Sequence, residues 1–286
     1  MKTENQRRSS NIEDRRGSGF PGGKGGLGLG GIVIVLIAAY FGVDPKLALQ
    51  TANQLGSTAS TAPSGPVTES TREAAARDLV SVVLADTEDT WKAIFASAGS
   101  NYREPTLVLF RNSTSTACGT GQSAMGPFYC SADEKVYIDL SFYDELQKRF
   151  QAPGDFAEAY VIAHEVGHHV QHLLGISGKV QKARQRTSEK EGNTLSVRLE
   201  LQADCLAGIW AHHAQRSRQL LESGDLEEAL TAASAIGDDT LQTNARGYAV
   251  PDSFTHGTSA QRVQWFRTGM ESGDLNACDT FSGNAT

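Results

Sequence analysis

The apolar positions of this chain fall into helical rows far more often than into strand alternation. Residues 156–174 run without a proline, with Ala157, Val161, Val170, Leu173 and Leu174 as the apolar component. Asp155 stands where an N-cap belongs and Gly175 where a closing residue belongs, so the spacing predicts a packed helix there. A second row, Leu195, Leu199, Leu206, Ile209 and Trp210, predicts a helix over 194–215, capped by Asn193 or Thr194. An alanine-rich stretch continuing through Val80, Val83 and Trp91 predicts another over 71–96, and two later helices are expected near 225–236 and 259–271. Strand character shows in the short apolar run at 106–110 and in the alternation at 135–140. The pentapeptide ESGDL occurs at 222–226 and 271–275 without wider similarity, which marks reused turn-and-cap chemistry, not a repeat architecture. The pattern as a whole is α+β and mainly helical.

The N-terminal quarter is patterned differently. Residues 25–43 carry no charge, and their densest apolar part is 32–41. At 1.5 Å per residue this stretch spans about 28 Å, close to the hydrocarbon thickness of a bilayer. It predicts one N-terminal transmembrane helix. A cleaved signal peptide competes, because the most apolar part is only about ten residues long. The long lead and the lack of a small-x-small site before Asp44-Pro45 favour an anchor. Residues 1–24 hold six basic and three acidic side chains, so the positive-inside bias makes them a cytoplasmic tail. The rest of the chain then lies outside, on the periplasmic face of the inner membrane. Residues 44–70, rich in Ser, Thr, Ala and Gly and free of aromatics, read as a linker. That leaves 71–286 as one domain, long enough for a single core.

Charge and cysteines narrow the setting. The net charge is −7, and the part beyond residue 24 carries −10 once the +3 of the tail is removed, which argues against nucleic acid as a partner. The four cysteines fit an oxidising compartment. Cys118 and Cys130 flank a glycine-rich turn, a natural place for a local disulfide, with Cys205 and Cys278 as the long-range partners. Four cysteines allow three pairings, so this is a preference among them. A cysteine zinc site lacks the close C-x-x-C spacing.

The candidate chemistry sits in HEVGHHVQH at 164–172. His-Glu-x-x-His on a helix puts His164 and His168 on one face, where both imidazoles can bind one zinc ion. Glu165 is placed beside them to take a proton from a water activated by the metal. His169 and His172 are surplus to such a site and are expected to face elsewhere. A catalytic zinc needs a third ligand, and Glu200 supplies it from the second helix, with Asp204 four residues on to accept a hydrogen bond from a ligand histidine. The apolar setting of these carboxylates calls for a compensating cation or hydrogen bonds.

These blocks, together with GPFYCSADEKVYIDLSF upstream and DSFTHGTSAQRVQWF downstream, resemble the bacterial neutral zinc metallopeptidases of the YpfJ-like family. The resemblance implies a zincin-like metallopeptidase domain acting on peptide or protein substrates. HExxH followed by a Glu-x-x-x-Asp helix is also similar to the gluzincins, in which a later histidine segment follows. Here that segment is 255–262, making His256 or Arg262 the candidate oxyanion donor, with Tyr248 behind them. By the same resemblance the strand Val136 to Leu140 either offers its edge to an extended substrate or is an ordinary interior strand. A tethered zinc scaffold without turnover would need no Glu165. A hydrolase of cell-wall amides would be expected to carry a wall-binding module, and none is evident.

Overall fold

The computed structural model describes residues 1–17 and 67–282. The expected membrane span at 25–43 and most of the expected linker lie outside the described residues. Among the described residues no helix is long and apolar enough to cross a membrane.

The chain opens with β1 (Ile12–Asp14), followed by α1 (Thr71–Ser97) and β2 (Thr106–Phe110). A hairpin of β3 (Ser113–Thr116) and β4 (Gly119–Gln122) leads to β5 (Phe128–Cys130) and β6 (Lys135–Asp139). Then come α2 (Ser141–Lys148), α3 (Asp155–Leu173), α4 (Ile176–Arg184) and α5 (Glu189–Arg218). The last three helices are α6 (Asp225–Ala235), α7 (Asp238–Arg246) and α8 (Ser259–Ser272).

Local chemistry sets the ends of α3 and α5. Gly154, at φ 120°, precedes α3, so Asp155 is the first helical residue and not the cap. Gly175 closes α3 at φ 72°, the left-handed conformation expected of it. Helix α5 begins well before the expected Thr194. Ser188 and Glu191 form a capping box there, each side chain bonding the other's backbone N–H.

The sheet order is β1-β2-β6-β5, parallel except for β5, which runs antiparallel along β6. Leu107, Leu109, Val136 and Ile138 enter the main core beneath the helices, while Val108, Phe110 and Tyr137 form a second cluster on the opposite face. The β3–β4 hairpin lies over that second cluster, with Gly121 against the Phe128 ring. A disulfide from Cys118 to Cys130 fastens the hairpin to the edge strand, and a second joins Cys205 to Cys278. Both are the preferred pairings.

The N-terminal residues correct an expectation. Residues 1–17 are not a tail apart from the domain but one edge of its sheet. The register is Ile12↔Leu107, Glu13↔Val108 and Asp14↔Leu109. Arg7 pairs with Glu88 and Asp89, Arg8 with Asp78, and Arg16 with Asp14 and Glu69. Arg7, Arg8, Arg15 and Arg16, four of the basic residues that suggested a free tail, are therefore ion-pair partners within the fold. The amino group of Met1 sits at 2.7 Å from Asp155, at the start of α3.

Candidate metal centre

Helix α3 supplies the first half of the site and α5 the second, and a glycine lets them meet. A Cβ on Gly167 would lie 3.0 Å from the Ala203 carbonyl oxygen, so the backbones approach closely one turn from the key side chains. As a result His164 Nε2 stands 3.1 Å from Glu200 Oε2, and His168 Nε2 stands 3.5 Å from Glu200 Oε1. All three ligand groups offer atoms within 4.8 Å of one another. Zinc–ligand bonds near 2.1 Å in a tetrahedron separate the ligand atoms by about 3.4 Å, so the donor set fits zinc in both type and spacing.

The far nitrogens of both imidazoles are held. His164 Nδ1 donates to Asp204 Oδ1 at 2.8 Å. His168 Nδ1 lies 2.9 Å from Gln171 Oε1. The Gln171 amide nitrogen is committed to the Leu199 carbonyl and to Gln202, so its oxygen must face His168 and accept. Each imidazole therefore turns an Nε2 lone pair toward Glu200 when neutral.

Asp204 is fully buried and fully satisfied. It accepts from Tyr160 Oη at 2.5 Å and from both Nε and Nη2 of Arg262 at 2.9 Å. Burial pushes this carboxyl up, but the charges of Arg262 and His164 outweigh it and hold it below its usual range. Burial likewise opposes charge on His164, yet Asp204 and Glu200 raise it to about 10 without a metal. For Glu200, burial is overcome by His168 and His164, which hold it well below the usual carboxylate range. Positive charge on the imidazoles thus balances the Glu200 carboxylate, a balance that a bound cation would supply with both rings neutral.

These residues line a cavity of about 530 Å³. Glu165 faces it and makes no hydrogen bond to another side chain among the described residues. His256 also lines it, with its side chain 51% exposed and its Nδ1 3.3 Å from Asp238 Oδ1. Asp238 is itself fixed by the backbone N–H groups of Thr255, His256 and Gly257. The hydrogen bond to Asp238 raises the His256 pKa against the effect of burial.

Of the residues singled out from the sequence, His164, Glu165, His168, Glu200, Asp204, His256 and Arg262 are brought together. Tyr248 is exposed on the surface, under the Arg246 guanidinium, and does not line the cavity. Arg262 is 2% exposed and its guanidinium is spent on Asp204, Tyr160 and the Ile236 carbonyl, so it braces the site from behind. Of the two readings of Val136 to Leu140, the substrate edge is corrected and the interior strand holds. β6 is an interior strand between β2 and β5, and the edge on the cavity side is β5, whose Phe128 and Tyr129 line the cavity. Tyr160, Gln171 and Asp238 were missed. The first two were within reach, because they lie four residues before His164 and three after His168 on the same helical face. Asp238 meets His256 only through the tertiary fold.

The family model described as "Putative neutral zinc metallopeptidase" matches residues 1–281. The chain belongs to that family. It is 52% identical over 294 residues to the uncharacterized protein YpfJ of Escherichia coli (strain K12), covering 98% of this chain and 99% of that one. It is 38% identical over 255 residues to the uncharacterized proteins Mb2605 of Mycobacterium bovis and Rv2575 of Mycobacterium tuberculosis, covering 86% of this chain and 85% of each relative. No solved structure matches the chain significantly.

Proposed function

We propose that the protein hydrolyses peptide bonds in this cavity, with His164, His168 and Glu200 holding zinc and Glu165 serving as general base. The observation that carries the reading is the convergence of the two Nε2 atoms on Glu200, with an unpaired Glu165 carboxylate facing the same space. Zinc bound there supplies a Lewis acid that polarises a carbonyl and lowers the pKa of water toward 7. Glu165 takes a proton from the attacking water as its oxygen bonds to the carbonyl carbon. It returns that proton to the amine nitrogen as the C–N bond breaks. His256, oriented through Nδ1 by Asp238, offers Nε2–H to the carbonyl oxygen as negative charge develops. Arg262 acts indirectly by keeping Asp204 charged and His164 in register.

The substrate is an extended peptide. The free edge of β5 provides backbone groups for strand pairing. Met125, Phe142, Val161, Ile236 and Leu241 line the same cavity and suit a large apolar side chain next to the scissile bond. The pairing of all four cysteines supports action in an oxidising compartment outside the cytoplasm.

The test is Glu165→Gln in the purified protein, read against a diverse peptide library. Zinc content should remain at the wild-type level while cleavage falls by about 10²–10⁴-fold. Cleavage at the wild-type rate would remove Glu165 from the mechanism.

A further inference from the structure

We propose that residues 1–17 and the catalytic domain lie on the same side of any membrane the protein meets, so that the uncharged stretch at 25–43 makes no single net crossing. β1 is built into the sheet by main-chain bonds on both flanks, Leu107 N–H to the Asn11 carbonyl and Arg15 N–H to the Leu109 carbonyl, each 2.8 Å. Before it, Ser9 N–H donates to the Ser81 carbonyl at 2.9 Å. Side chains repeat the attachment. Glu88 of α1 is 1% exposed and receives hydrogen bonds from Ser9 Oγ, Asn11 Nδ2 and Arg7. Take the N-terminal residues away and Glu88 becomes a buried carboxylate stripped of these partners, which folded proteins avoid.

The exit point is equally constrained. Arg16 is nearly fully buried, and its Nη2 lies 2.9 Å from Glu69 Oε2, just ahead of α1. Residues 16 and 69 are thus in contact. A hydrocarbon layer of about 30 Å cannot lie between two halves of an ion pair. The number of net crossings between these residues is therefore even. The connecting sequence contains one uncharged stretch of about the length a single helical crossing needs, not two. The positive charges do not oppose this arrangement, since Arg7, Arg8 and Arg16 are already paired with carboxylates of the fold. If the disulfides form outside the cytoplasm, the N-terminal strand is outside too.

Two measurements on the full chain test this. Ser10→Cys and Ala96→Cys each place a thiol at an exposed position, one on either side of the uncharged stretch. Spheroplasts expressing each variant are treated with a membrane-impermeant maleimide before and after lysis. The two positions should give the same pattern, both labelled in intact spheroplasts or both only after lysis. Labelling of Ala96→Cys in intact spheroplasts with Ser10→Cys reacting only after lysis would overturn the proposal. In the purified protein, trypsin can cut after Lys24 and Lys46, the basic residues between Gly17 and Thr71. The N-terminal fragment should then co-elute with the domain on native gel filtration. Its release as a free peptide would overturn the proposal by a route that needs no membrane.

Discussion

Helix α3 carries two pairs of histidines, and the pairs do opposite work. His164 and His168 turn their Nε2 atoms toward Glu200 and the open cavity, with acidic or amide partners behind them. His169 is fully buried on the sheet side, with Tyr129 Oη 2.9 Å from Nδ1 and the Arg103 carbonyl 2.6 Å from Nε2. His172 lies at the rim, 3.4 Å from Glu134. The first pair is set in a surplus of negative charge, which suits a cation. The second is architecture: His169 ties α3 to Tyr129 of the edge strand, and His172 meets Glu134 in the turn that follows it. The same residue type in the same nine positions is thus a candidate ligand or a brace according to what faces it.

The comparison breaks first at its strong end. His164→Ala or His168→Ala should abolish stoichiometric zinc binding and all measurable cleavage, read by metal analysis of the purified protein. Asp204→Asn keeps the shape but weakens the hold on His164, and should cost about 10–100-fold in zinc affinity, read by chelator competition. His169→Ala should leave zinc affinity within a fewfold of wild type. It should instead lower stability by about 2 kcal/mol, because the Tyr129 hydroxyl and the Arg103 carbonyl lose a buried partner. Thermal unfolding reads that difference.

A pH series sharpens the contrast. Burial pushes the His169 pKa down, only partly offset by its bond to the Arg103 carbonyl, so the folded protein holds this ring neutral. The unfolded chain takes up the proton near pH 6.5. His169 therefore contributes stability that is fully present above that pH and lost as pH falls through the lower, folded value. The stability gap between wild type and His169→Gln should be widest above pH 7 and shrink on acidification; a gap that widened instead would mean the ring is protonated in the fold. The smallest effect belongs to His172→Ala, which should change stability by less than about 0.5 kcal/mol.

Legibility in the sequence follows the same division. The helical rows placed α1, α3, α5, α6 and α8, and the apolar runs placed β2 and β6, because burial on one face imposes a period. β1 escaped because three residues with a single apolar side chain carry no period, and its charges suggested a tail. β5 escaped because Phe128–Cys130 is too short to alternate. Spacing within a helix was enough to bring His164 and His168 together, and Glu200 with Asp204. It could not say that the Arg262 guanidinium points at Asp204 and not at a substrate, since that depends on how α8 lies across α5. Nor could it name Asp238, which has no local relation to His256.

The crossing of α5 and α8 has a consequence for the order in which the protein is made. Gly208 meets the Phe266 carbonyl and Gly269 meets the Cys205 carbonyl, so the helices touch backbone to backbone, and Cys278 then bonds Cys205 beside Asp204. The ligands emerge from the ribosome with α3 and α5, but the arginine that keeps Asp204 charged arrives about sixty residues after it. A nascent chain can therefore display every proposed zinc ligand while the brace behind them is still missing. Completion of the proposed site therefore waits on a segment synthesised well after its candidate ligands.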